Sequence, residues 1–96
     1  MFIVVTYDID QGDGGKRLHK IAKTCEKYGN RVQCSVFEMD IDLAKLVRLK
    51  SELVNIIDME LDSIRIYKIG RINCSQLEVL GKKRKIEIAT DTGFFL

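Results

Sequence analysis

The chain has 96 residues, 46% of them hydrophobic, with no proline, no tryptophan, three cysteines and a formal charge of +2. That length fits a single domain, 1–96, burying only about 60–65% of the surface its unfolded form exposes, and the apolar content excludes a disordered chain. No apolar run approaches the ~20 residues of a membrane helix, the N-terminus lacks the regions of a signal peptide, and an odd number of cysteines without a C-x-x-C pair fits a reducing cytoplasm.

Phe2-Ile3-Val4-Val5-Thr6-Tyr7-Asp8 reads as a strand, because its residues are mostly β-branched or aromatic. Phe2, Val4 and Thr6 share one face; Ile3, Val5 and Tyr7 share the other. Neither face is polar, so the strand is expected to be central and covered on both sides. It ends in Asp8, with Asp10 two residues on. Two readings are open here. A carboxylate at the tip of a stiff strand is well placed as a metal ligand or catalytic acid, and the same residues also serve turns by accepting backbone N–H groups.

The loop Asp10-Gln11-Gly12-Asp13-Gly14-Gly15 matches neither G-x-G-x-x-G nor the P-loop. Asp13 is a candidate N-cap. In the helix that follows, Leu18, Ile21, Ala22, Cys25 and Tyr28 form one apolar face, and Gly29 is expected to stop it in the left-handed conformation. Lys16, Lys20, Lys23 and Lys27 line the opposite face, while Arg17 flanks the apolar face in the first turn, near the loop that carries Asp8. Residues 16–31 hold six basic side chains against Glu26 alone; residues 38–62 hold three basic and seven acidic ones, and Lys82-Lys83-Arg84-Lys85 adds a second basic run. Such patches suit either a polyanion partner or plain solvation.

From Asn30 to Asp40 the apolar parity changes at Val36-Phe37, which predicts a bulged strand or two short strands. Asp42 is placed to cap a second helix from Leu43 to about Ile57, with Leu46, Val47, Leu53, Val54 and Ile57 facing the core. Asp58, Glu60 and Asp62 lead through a turn into the alternating strand Ser63–Ile69, broken by Gly70. Gln76–Leu80 and the segment Ile86–Ile88 or Gly93–Leu96 are shorter strand candidates. The order predicts an α+β fold of ferredoxin-like plan, an antiparallel sheet with two helices on one face. The apolar first strand then leaves a second sheet face to be covered, and a copy of the same chain packed sheet on sheet is the expected cover, giving a homodimer.

Four blocks resemble, in order, the CRISPR-associated endonuclease family Cas2: Val5-Thr6-Tyr7-Asp8-Ile9, Arg31-Val32-Gln33-Cys34-Ser35-Val36-Phe37-Glu38, Asp62-Ser63-Ile64-Arg65-Ile66-Tyr67 and Leu77-Glu78-Val79-Leu80-Gly81. The second is the most specific, since generic strand chemistry does not ask for Gln, Ser and Glu at those places. The resemblance implies a ferredoxin-like homodimer in which Asp8 meets its symmetry mate and the pair holds one Mg²⁺ or Mn²⁺ ion. It implies an endonuclease cutting single-stranded RNA or double-stranded DNA, and work in CRISPR adaptation beside the integrase Cas1. Asp8 is then both metal ligand and catalytic residue. Arg17 and Arg31 are candidate phosphate contacts, because a guanidinium fork matches phosphate geometry. Tyr7 and Phe37 are candidate nucleic-acid contacts, the latter by stacking on a base, with core packing as the other role for each. Ser35 has no partner base and is not expected to be a nucleophile. The alternatives are a structural bridge that binds spacer DNA without turnover, and a ribonuclease toxin of the VapD type.

Overall fold

The computed structural model describes residues 1–70 and 78–81. Its first strand, β1 (Phe2–Asp8), lies between two neighbours and fulfils the expectation of a central position. The other elements follow as α1 (Lys16–Glu26), β2 (Asn30–Gln33), β3 (Val36–Asp40), α2 (Leu43–Ile56) and β4 (Ser63–Gly70). The sheet order is β2-β3-β1-β4 with every pair antiparallel, which is the ferredoxin-like plan. The parity change seen in the sequence is a hairpin turn at Cys34-Ser35 that separates two short strands, with a register shift between Arg31 and Gln33.

The period-2 pattern of the strands sorts their side chains cleanly. Ile3, Val5, Tyr7, Phe37 and Met39 join Ile21 and Cys25 of α1 and Leu46, Leu49 and Leu53 of α2 in one core. On the other sheet face stand Val4, Thr6 and Asp8, opposite Glu38 and Val36 on one side and Tyr67, Arg65 and Ser63 on the other. Tyr67 there is 48% exposed. Both helices start from aspartates. Asp42 accepts the Lys45 N–H at 2.8 Å, as expected of an N-cap. Asp13 caps α1 from two residues upstream of the N-cap position, which Gly15 holds; Gly14 and Gly15 take φ of 79° and 83° and curl the chain so that the Asp13 carboxylate accepts from the Gly15, Lys16 and Arg17 N–H groups.

Two expectations are corrected. Gly29 does not adopt the left-handed conformation; it is glycine because β3 passes too close, and an added Cβ would lie 2.3 Å from Met39 Cγ and 2.4 Å from the Glu38 carbonyl oxygen. Val47 and Val54 do not face the core but are 60% and 56% exposed, because Leu46, Leu49 and Leu53 already fill the stripe that meets the sheet. With Leu43, Met59 and Leu61 they form an apolar outer surface on and after α2. Of the expected strand Gln76–Leu80, residues 78–80 have no regular structure. The rest of it, the basic run 82–85 and the candidate last strand lie outside the described residues.

Candidate functional site

β1 ends at Asp8, and the ladder to Ser63 on β4 fixes its backbone. The residue is exposed, and its carboxylate has no hydrogen bond or ion pair among the described residues. It borders a shallow depression of about 280 Å³ lined by Thr6, Tyr7, Asp8, Ser63, Arg65 and Tyr67. Because Thr6, Asp8, Ser63, Arg65 and Tyr67 share the helix-free face, this depression opens away from the core. The turn reading of Asp8 therefore has no support in its contacts. For Asp10 it does: the Asp10 Oδ2 accepts the Gly12 N–H at 3.0 Å, an Asx turn.

The loop that follows Asp8 is held by one buried carboxylate. The Asp62 side chain has no exposed surface. It accepts the Asp10 N–H at 2.9 Å, the Asp58 N–H at 2.8 Å, and Arg17 Nε and Nη2 at 2.8 and 3.3 Å. The Arg17 guanidinium beside it, together with these backbone donors, holds its carboxyl down at about 2. Arg17 also donates Nη1 to Asp13 at 3.1 Å and Nη2 to the Asp10 carbonyl at 3.3 Å. Its fork thus joins the start of α1, the loop after Asp8 and the turn before β4. The same Arg17 contacts, its N–H above all, keep the Asp13 carboxyl below its usual range. The sequence placed Arg17 near Asp8 correctly, but the structure shows a guanidinium already occupied by carboxylates.

Three other candidates direct their side chains to the core side of the sheet. Tyr7 is buried on the core side of β1, where its hydroxyl donates to the Cys34 carbonyl at 3.2 Å and burial pushes its pKa up. Phe37 is fully buried, its ring 6.2 Å from that of Tyr7. With no exposed surface it cannot stack on a base in this conformation, and the packing role applies. Arg31 is exposed on β2, its guanidinium 5.3 Å over the Phe37 ring and 3.7 Å from Glu26 Oε2. It reaches solvent on the side of the sheet away from the depression. Three residues of the matched blocks had no role assigned from the sequence. Asp62 was read as one of three turn acids, although only a buried acid at a strand start can gather donors from distant segments. Arg65 stood in the alternating strand and in the third matched block with no role of its own. Glu38 carries, on the helix-free face, a buried Oε1 with no hydrogen-bond partner, and burial raises its pKa.

Cys25 and Cys34 are free, and burial pushes Cys25 up to about 12. Among the described residues no three His, Cys, Asp or Glu side chains gather as a metal cage, and no helix is long and apolar enough to cross a membrane.

Fold and depression together define a small α+β protein of ferredoxin-like plan that presents one exposed carboxylate from its central strand on the sheet face left bare by the helices. A family model described as CRISPR associated protein Cas2 matches residues 1–88, and the chain belongs to that family. It is 44% identical over 90 residues to the CRISPR-associated endonuclease Cas2 of Halalkalibacterium halodurans, covering 92% of this chain and 94% of the relative. It is 50% identical over 72 residues to the CRISPR-associated endoribonuclease Cas2 of Chlorobaculum tepidum, covering 73% and 75% of the two chains. The crystal structure of Streptococcus pyogenes Cas2 superposes with a TM-score of 0.73 at 44% identity, over 84% of this chain and all of that one.

Proposed function

We propose that this chain is a metal-dependent endonuclease of CRISPR adaptation, cutting phosphodiester bonds in single-stranded RNA or double-stranded DNA as a homodimer with Asp8 from each copy at the site. The observation that carries the reading is the unpartnered, exposed Asp8 carboxylate, fixed at the tip of the central strand in the depression of the helix-free face. The relatives' names, endonuclease and endoribonuclease, point the same way.

The donor set suits Mg²⁺ or Mn²⁺. Mg²⁺ takes hard oxygen ligands, keeps most of its waters and needs only one or two carboxylates. One chain supplies one, Asp8; a second copy supplies the other. Such an ion polarises a phosphoryl oxygen and acidifies a bound water when held there. The chain's own work is to hold the Asp8 carboxylate in place through the β1–β4 ladder and the Asp62–Arg17 clamp. Val4, Val36 and Tyr67 give the helix-free face the apolar surface that a second sheet can bury. The integrase Cas1 is the expected partner of the dimer, and Arg31 with the α1 lysines is the basic surface for nucleic acid.

The test uses purified protein with Mg²⁺ or Mn²⁺, labelled single-stranded RNA and labelled duplex DNA, with chelator and Asp8→Asn protein as controls. Cleavage by the wild type, its loss on chelation, and its loss in Asp8→Asn protein of unchanged melting temperature are expected. Equal cleavage by the variant rejects the site. Binding without cleavage by the wild type favours the non-catalytic bridge, a reading consistent with a depression that holds one carboxylate and no histidine.

A further inference from the structure

An exposed carboxylate repels a phosphodiester, so a site built on Asp8 needs a cation close by that belongs to the protein. The arginines nominated by sequence do not meet that need. Arg17 donates Nε, Nη1 and Nη2 to Asp62, Asp13 and the Asp10 carbonyl. Arg31 covers the Phe37 ring from the core side of the sheet. Arg65 lines the same depression as Asp8 and has no carboxylate partner among the described residues. Among the described residues its one side-chain hydrogen bond is Nη1 to the Tyr67 hydroxyl at 3.4 Å, which leaves the remaining N–H groups of the fork available.

The register makes the placement firm. Thr6 pairs with Arg65 and Asp8 with Ser63, and the β1–β4 ladder is regular from Ile3 to Asp8. Asp8 and Arg65 are therefore diagonal neighbours on one face, about 7–8 Å apart at Cα. That gap is within reach of a long side chain, yet Arg65 turns to the Tyr67 hydroxyl rather than to Asp8, so both charged groups stay open to a ligand in the depression. The Thr6 and Ser63 hydroxyls add neutral donors to the same wall.

We infer that Arg65 is the phosphate-binding residue of the Asp8 depression, its guanidinium fork gripping a phosphodiester of the nucleic acid beside the carboxylate. This rests on the reading of Asp8 as the nuclease site, and it assigns the anion grip to β4 rather than to α1. Arg65 on the rigid strand next to Asp8 holds the phosphate in register with the acid, whereas Lys20 and Lys23 of α1 offer only diffuse attraction.

Binding is measured in Asp8→Asn protein, which leaves the nucleic acid intact, with labelled single-stranded RNA and duplex DNA over a KCl series. Adding Arg65→Ala is expected to weaken affinity roughly tenfold, the loss of a charge-assisted contact. It is also expected to flatten the log–log salt dependence by about 0.7 for RNA or 0.9 for DNA, one phosphate contact. Arg65→Lys keeps the slope but not the full affinity, because a point charge replaces a fork. Sedimentation stays as in the parent. Unchanged affinity and slope overturn the inference. So does an affinity loss that comes with a shifted sedimentation coefficient, since Arg65 then serves contact between two copies of the chain. If the Asp8-intact protein cuts nothing while Arg65→Ala still removes one contact from the slope, the nuclease reading fails and the phosphate grip stands.

Discussion

Phe37 can be tested in a way that separates packing from recognition. The ring is fully buried between the Tyr7 ring at 6.2 Å and the Arg31 guanidinium at 5.3 Å. Truncation in Phe37→Ala leaves a cavity in the middle of the sheet and costs about 3–5 kcal/mol. A domain of this size holds roughly 5–15 kcal/mol in total, so the loss removes about a fifth of its stability or more. At about 4–8 °C per kcal/mol, the melting temperature falls by about 12–40 °C. Phe37→Leu keeps most of the apolar volume and costs only about 1–1.5 kcal/mol. Thermal melts of the three proteins and nucleic-acid affinities of wild type and Phe37→Leu, measured well below the lower melting point, decide the matter. Affinity in Phe37→Leu is expected to match wild type. A Phe37→Leu protein that melts near wild type yet binds roughly tenfold more weakly, the loss of one base stack, would refute the packing assignment.

Acid should loosen the Asp62 clamp. Its carboxyl titrates near 2 in the folded chain, below its unfolded value of about 3.9, so its contribution is complete above about pH 4 and is lost as pH falls toward 2. Urea unfolding of Asp62→Asn should show a lower midpoint at neutral pH and a flatter decline between about pH 4 and pH 2 than wild type; parallel curves would rule out this linkage. Lys20 and Lys23 are exposed and have no ion-pair partner among the described residues, whereas Lys27 pairs with Glu52. Reversing Lys20 and Lys23 to Glu should weaken duplex binding at low salt and shrink its salt dependence, and an unchanged slope would mean that this face is only solvated.

The elements that sequence made legible are those whose signal is local. β1 is a run of β-branched and aromatic residues, β4 alternates within its own residues, Asp42 caps its own helix, and the parity switch at Val36-Phe37 marks a hairpin turn beside it. What escaped depends on distance. α2 is apolar at Leu43, Leu46, Val47, Leu49, Leu53, Val54 and Ile56, a stripe wider than the sheet can cover, and only packing decides that Leu46, Leu49 and Leu53 turn inward. Asp62 finds Arg17 across 45 positions of sequence, which no window reads. Gly29 looks like a helix stop until β3 is seen passing against it. For the site, Asp8 was legible as a stiffly mounted acid. The identity of its cationic neighbour was not, since it depends on which β4 residue faces Thr6.

The central position of β1 also sets which parts of the site can move. Asp8 ends a strand paired on both sides as far as Thr6 and with β4 as far as Asp8 itself, so displacing the strand that carries it means opening the β1–β3 and β1–β4 ladders together, an event close to global unfolding. Arg31 rides on β2, which has only β3 beside it among the described strands and slips register between Arg31 and Gln33. Opening there breaks a few bonds and leaves the core intact. Amide exchange should therefore be slowest at Val5 and Tyr7 and faster along β2, giving an acid fixed on the timescale of unfolding and a basic rim that rearranges on the timescale of edge fraying.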